Sequence, residues 1–318
     1  MMTLEEFLDS WRSPSKTILV HTSGSTGKPK PLMVEKQRML NSAKITCDFL
    51  GLQVGDTALL CMPLDYIAGK MVVVRSLERG LRLLQVTPSG HPLAEVSSDK
   101  QIDFAAMVPM QVYNSLLVPV ERERLLRIKN LLIGGGAIDE NLASELRSFP
   151  HAVWSTYGMT ETLSHIALRR LNGPSASEWY TPFEHVQVNT NEDGCLVINA
   201  PLVCTETLVT HDIAEIKNGK FRIKGRKDNV ICSGGIKIQI EEVEDLLRPV
   251  LSSPFMLVKK KDEKFGEVAV LVTENHDLQQ VEDICRRRLP KYWIPREYLY
   301  VDKLPLTETG KPKRSILL

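Results

Sequence analysis

Ile18-Leu-Val-His-Thr-Ser-Gly-Ser-Thr-Gly-Lys-Pro-Lys-Pro-Leu32 begins with a short apolar run, Ile18 to Val20, that predicts a strand, and then breaks into hydroxyls, glycines and lysines. Such a loop suits a polyphosphate. Gly24 and Gly27 permit tight turns with backbone N–H groups pointing inward, Ser23, Ser25 and Thr26 add hydroxyl donors, and Lys28 and Lys30 bring positive charge. It is not the usual P-loop, because Pro29 stands where Ser or Thr should follow the lysine. Proline there also stops the helix that a P-loop feeds into. The plain alternative is a Ser/Gly surface linker.

Outward from this loop, strand and helix alternate. Strands are predicted at Thr57–Met62, Leu81–Val86, Phe104–Val108, Asn130–Ile133 and Ala152–Ser155. Helices are predicted at residues 3–12, Glu35–Leu50, from Pro63-Leu-Asp-Tyr-Ile-Ala-Gly69 through Leu77, Pro109–Leu117 and Asp139–Ser148. That grammar implies an α/β domain with a largely parallel sheet. From about Phe183 it changes to short strands at Glu184–Val188, Cys195–Asn199, Thr207–Val209, Ala214–Lys217 and Lys220–Ile223, with Asn218-Gly219 as a hairpin signal. Beyond Lys224-Gly-Arg-Lys-Asp-Asn229 come a strand near Val230, helices at Ile240–Leu247 and Leu278–Leu289, and strands at Phe255–Lys259 and Val268–Val272. The expected fold is therefore α/β: a large N-terminal domain, residues 1–226, with a mostly parallel sheet and an antiparallel β-subdomain at about 183–226, then a small α+β domain, 227–318.

Composition narrows the class. The 318 residues carry a net charge of +1, so no global field points to nucleic acid or an anionic membrane. Six scattered cysteines with no C-x-x-C pair argue against zinc and a disulfide framework, and fit a reducing cytoplasm. The N-terminus carries three acids and no apolar core, unlike a secretory signal. No apolar run approaches the roughly 20 residues that a membrane span needs. A soluble cytoplasmic protein acting on small molecules is expected, and the residues leave a homodimer open.

Further stretches carry chemistry. In Thr156-Tyr-Gly-Met-Thr-Glu-Thr162, Gly158 permits a sharp turn, Thr160 offers a hydroxyl to phosphate, Glu161 a hard oxygen to Mg²⁺, and Tyr157 a face for a purine. Gly134, Gly135, Gly136 and Ala137 follow a strand without forming a Rossmann fingerprint, and alone read as a tight turn. Asp212 and Arg226, taken alone, read as solvated surface charges.

Together, in order, these words resemble the adenylate-forming superfamily of acyl-CoA synthetases, adenylation domains and luciferases. The resemblance implies that Thr22 to Lys30 close over the ATP phosphates and that Thr160 and Glu161 serve phosphate and Mg²⁺. It implies that Gly134 to Ala137 and Tyr157 line the adenine, and that Asp212 and Arg226 hold the ribose. The family normally has glycine where His211 stands, so the turn here must accept a Cβ. Asp228 matches a hinge about which the small domain moves, and Ser233, Gly234 and Gly235 match a loop facing coenzyme A. Lys311, in Leu304-Pro-Leu-Thr-Glu-Thr-Gly-Lys-Pro-Lys-Arg314, matches the catalytic lysine, with Lys313 and Arg314 as bystanders. The implied co-substrates are ATP with Mg²⁺ and coenzyme A.

Only about twenty residues precede the loop, where members usually carry a long subdomain. That feature, with Tyr157–Leu168 and Pro63–Met71, is similar to the abbreviated o-succinylbenzoate–CoA ligases of menaquinone biosynthesis. An aryl dicarboxylic acid leaves one carboxylate charged, and Tyr66, Lys70, Arg75, Ser164 and His165 are the candidate acyl-pocket residues, with Arg75 equally readable as a snorkelling helix-end charge. A ligase for another aryl or acyl acid and a non-catalytic acyl- or nucleotide-binding protein are the alternatives.

Overall fold

A computed structural model describes residues 2–21, 31–136, 138, 140–306 and 312–314. The chain forms two compact units: Met1–Val188 with Ile198–Leu208 and Lys217–Phe221, and Asn189–Val197 with Val209–Ile216 and Arg222–Leu318.

The first unit opens with helix α1 (Leu4–Arg12), whose Thr3 accepts from the Glu6 amide while the Glu6 carboxylate accepts from the Thr3 amide. Strands β1 (Thr17–His21) and β2 (Pro31–Glu35) then pair antiparallel, with His21 opposite Pro31, so the ends of the glycine loop are held at strand spacing. Strand β2 was not expected from sequence; its alternation is short and one residue is buried. Helix α2 (Lys36–Leu50) follows directly.

Strand β3 (Thr57–Leu60), helix α3 (Ile67–Arg79), β4 (Arg82–Gln85), β5 (Phe104–Met107), α4 (Pro109–Leu117), α5 (Pro119–Leu126), β6 (Asn130–Ile133), α6 (Glu140–Leu146) and β7 (Ala152–Gly158) deliver the alternation. The strands lie in the order β4-β3-β5-β6-β7, all parallel. Two antiparallel strands, β8 (His165–Arg170) and then β9 (Thr181–Pro182) at the edge, complete a seven-stranded sheet. Central strands covered on both faces read as near-continuous apolar runs, and Leu131, Leu132 and Ile133 are all buried.

Strands β10 (Gln187–Thr190), β11 (Cys195–Asn199), β12 (Leu208–Lys217) and β13 (Lys220–Arg226) form a four-stranded sheet in chain order. The two short strands expected at Thr207–Val209 and Ala214–Lys217 are one continuous strand. The intervening His211 and Asp212 are extended rather than turned, and positive φ occurs at neither. A side chain at His211 is thus accommodated without the left-handed backbone that glycine would supply.

Within the second unit, β14 (Val230–Ser233), β15 (Ile236–Gln239), α7 (Ile240–Leu247), β16 (Phe255–Asp262), β17 (Gly266–Thr273), α8 (Leu278–Arg288) and β18 (Glu297–Tyr300) follow in order. Their sheet runs β15-β14-β17-β16, and β18 adds to β17 in parallel. Side chains alternate across it. Leu257 and Leu271 face Val243 and Leu247 of α7 and Val281 of α8, whereas Met256, Val258, Val270 and Val272 pack with Leu304 in a second cluster.

Candidate active site

Antiparallel β7 and β8 are joined by Met159–Ser164, with a register irregularity at Tyr157/Gly158. Thr162 ties this turn together: the Met159 amide donates to its Oγ1 at 3.0 Å, and that hydroxyl donates to the Ser164 carbonyl at 2.7 Å. Buried Leu163 adopts φ 65°, a left-handed backbone that costs about 1–3 kcal/mol in a branched residue and persists only where packing enforces it. Gly158 has a steric cause, since a Cβ there would sit 2.2 Å from the Ser164 carbonyl oxygen. The turn therefore presents Thr160, which is buried, Glu161, which is exposed, and Ser164, in a fixed relation.

Behind the turn lies a buried cation. Arg75 on α3 is 2% exposed, and burial pushes its pKa down to about 10. Its Nη2 donates to Ser164 Oγ at 2.6 Å and approaches Thr46 Oγ1 at 3.4 Å, and the guanidinium lies 5.8 Å from the Phe104 ring centroid. Its Nε has no partner, and no carboxylate pairs with it among the described residues. The snorkelling alternative is excluded by this burial. His165 contacts Thr46 Oγ1 through Nε2 at 3.0 Å and Ser164 Oγ through Nδ1 at 3.2 Å. Burial, and then the Arg75 charge, hold its pKa well below the ordinary imidazole range, so the ring is neutral.

Lys70 is 1% exposed and reaches the Asp65 carbonyl at 3.4 Å; burial lowers its pKa while Asp65 opposes the shift. It lies five residues before Arg75 on α3, about 140° round the helix, so the two cations leave on different sides. Half-buried Tyr66 stands at the N-cap of α3. Of the acyl-pocket candidates, the structure gathers Arg75, Ser164 and His165, and not Lys70. It adds Thr46, which sequence reading missed: a threonine inside an ordinary helix carries no local signal, and its partner His165 is 119 residues away.

Gly134, Gly135 and Gly136 form the turn after β6. The Tyr157 ring stands edge-on to Phe221, centroids 5.0 Å apart and planes at 80°. Ala137, the whole stretch Thr22–Lys30 and Lys311 lie outside the described residues.

In the second unit, Arg226 Nη1 donates to Asp212 Oδ1 at 3.1 Å and Nη2 to Asp228 Oδ2 at 3.2 Å. His211 Nδ1 lies 2.9 Å from Asp228 Oδ2, and this bond, with Arg226 behind it, lowers the Asp228 pKa. Ser233 pairs with Ile236 across a two-residue turn in which Gly234 and Gly235 have φ 56° and 85°, left-handed backbone that glycine adopts without strain. Arg314 is not a solvated tail residue but binds the buried Glu244.

A metal here would need ligands from elsewhere. No group of three His, Cys, Asp or Glu able to hold one occurs among the described residues. An exposed single carboxylate, Glu161, fits Mg²⁺ of the kind held by one acid and substrate phosphates. No helix among the described residues is long and apolar enough to cross a membrane.

A largely parallel α/β sheet with a small α+β unit is the architecture of adenylate-forming enzymes. The chain belongs to the AMP-binding enzyme family, whose sequence model matches residues 9–198. It is similar to the 2-succinylbenzoate–CoA ligase of Listeria monocytogenes, 26% identical over 98% of this chain and 72% of the relative. Among solved structures it resembles an acyl-CoA synthetase (AMP-forming)/AMP-acid ligase II-like protein from Dyadobacter fermentans, with 34% identity, TM-score 0.67, and 97% of this chain and 91% of that one covered. It also resembles the o-succinylbenzoate CoA synthetase of Bacillus subtilis in complex with the acyl-adenylate intermediate OSB-AMP, at 26% identity and TM-score 0.77, covering 94% of this chain and 68% of that one.

Proposed function

We propose that the chain is an AMP-forming acid–CoA ligase that activates o-succinylbenzoate, an aryl acid with a second carboxylate. The observation that carries the choice of acid is Arg75. A buried cation without a counter-charge costs several kcal/mol, and a dicarboxylic substrate supplies that charge on binding. Ser164 and the neutral His165 make the surrounding polar wall.

In the first half-reaction a succinyl carboxylate oxygen attacks the α-phosphorus of ATP. The bond to the bridging oxygen breaks and pyrophosphate leaves. Thr22 to Lys30 retain the departing phosphates, Thr160 donates to phosphate, and Lys311 offsets repulsion between carboxylate and phosphate; Glu161 would hold Mg²⁺, which would neutralise phosphate charge when bound. Asp212, aligned by Arg226, accepts from the ribose hydroxyls. In the second, the small domain turns about Asp228, Lys311 withdraws, and Ser233 to Gly235 face coenzyme A. Its sulfur attacks the acyl carbon, AMP leaves, and the thiol proton passes to solvent. The domain division at residues 226/227 belongs to this proposal.

The reading is tested by separating the halves. Lys311→Ala should lose adenylate formation while thioester formation from supplied acyl-adenylate survives; equal loss of both would sink the two-pose scheme. Acid-dependent pyrophosphate exchange should favour o-succinylbenzoate over 3-benzoylpropionate, which keeps the activated arm and lacks the ring carboxylate. A ligase for another acid would show no such preference, and a pure binder no exchange at all.

A further inference from the structure

We infer that Thr46 is a positioning residue of the acid site, acting through His165 and Ser164 to aim Arg75 at the substrate's spare carboxylate; this rests on the role proposed for Arg75. Thr46 Oγ1 donates its one hydrogen to the Ser42 carbonyl, 3.0 Å away, one turn back on α2. Its lone pairs can then only accept, so the His165 Nε2 that lies 3.0 Å away must be the protonated nitrogen. His165 Nδ1 is left as an acceptor, and the hydroxyl within reach, Ser164 Oγ at 3.2 Å, donates to it. With its hydrogen so directed, Ser164 Oγ turns lone pairs to Arg75 Nη2 at 2.6 Å. Thr46 also lies 3.4 Å from the same Nη2.

One residue thereby sets the direction of every hydrogen bond in the cluster. The neutrality of His165 is part of the arrangement, because a doubly protonated ring would turn a donor toward Ser164 and add a cation beside Arg75. Thr46 and Ser42 are buried, so no solvent competes for these bonds. Arg75 keeps a buried Nε without a hydrogen-bond partner. If Thr46 lost its oxygen, His165 could adopt either tautomer, Ser164 could turn its hydrogen to the guanidinium, and the cation would lose its fixed aim.

Thr46→Val keeps the volume and removes the oxygen. It should raise KM for o-succinylbenzoate roughly tenfold or more, the scale of a hydrogen bond to a charged group, with a smaller change in kcat. KM for 3-benzoylpropionate should stay put, and Thr46→Ser should restore the wild-type values. An unchanged o-succinylbenzoate KM, or an equal rise for both acids, overturns the inference. Arg75→Gln is the companion. If it abolishes the preference between the two acids while Thr46→Val does not, only Thr46 is misassigned; if it too leaves the preference intact, the role of Arg75 itself fails. One measurement needs no variant: nitrogen NMR of His165 in the intact protein should show a protonated Nε2 and an unprotonated Nδ1, and the opposite tautomer overturns the inference.

Discussion

Arg314 grips both carboxylate oxygens of Glu244, Nη1 to Oε1 at 2.8 Å and Nη2 to Oε2 at 2.9 Å. Glu244 is 3% exposed on α7, and its Oε1 also accepts from the Leu257 amide at 2.8 Å on β16. Arg314 further donates to the Leu257 carbonyl at 3.0 Å. The last described residues are thus fastened to the interior of the second unit, and Leu306 pairs with Pro312 across the intervening stretch. Breaking one side of such a buried pair costs about 3–5 kcal/mol, because the remaining charge is stranded. Arg248 stands 3.5 Å from Glu244 Oε2 and softens the loss. Arg314→Met should therefore lower unfolding stability by about 2–3 kcal/mol, with faster hydrogen exchange at the Leu257 amide. A urea midpoint and exchange rate matching wild type would refute this.

Gly158→Ala should destabilise the turn between β7 and β8. The added carbon would sit 2.2 Å from the Ser164 carbonyl oxygen and 2.5 Å from the His165 Cα, both backbone. Overpacking against backbone costs about 1–3 kcal/mol, and here the forced shift moves Ser164 away from Arg75. A lowered melting temperature together with a raised KM for the diacid is expected. A variant that melts like wild type would show the turn to be softer than its geometry implies.

Acid should destabilise the protein through His165. Burial, and then Arg75, keep this ring unprotonated in the fold, whereas in the unfolded chain it takes a proton as pH drops through the usual value near 6.5. The unfolded state then binds more protons, so stability falls below that pH, by at most about 1.4 kcal/mol per pH unit; above it the ring contributes no pH dependence. Unfolding free energies at pH 5 and pH 7.5 should differ less in His165→Gln than in wild type. An identical difference in both would assign the acid sensitivity to other groups.

The alternating strands and helices of the first unit were legible because their signals are local. Asn130–Ile133 and Pro109–Leu117 fall where their apolar runs and bounding residues place them. Elements held by distant pairing were not. Strand β2 needs β1 opposite it, and β18 needs β17, which precedes it by more than twenty residues. His165 was singled out because it follows the Thr160-Glu161 word, but the partner that gives it a tautomer lies on α2, and nothing near Thr46 in sequence marks it. Arg314 shows the same limit, since a basic residue in a polar tail looks solvated until Glu244 is seen below it.

Thr160, Glu161, Ser164 and His165 all depend from the turn that Thr162 and Leu163 hold between β7 and β8. On the proposed roles, nucleotide and acid press on opposite ends of one short, strained piece of backbone. A shift imposed at Glu161 has only two residues, Thr162 and Leu163, in which to die away before Ser164. The affinities of the two substrates should therefore be thermodynamically linked. Linkage is reciprocal, so whatever factor the acid adds to nucleotide binding, the nucleotide returns to the acid.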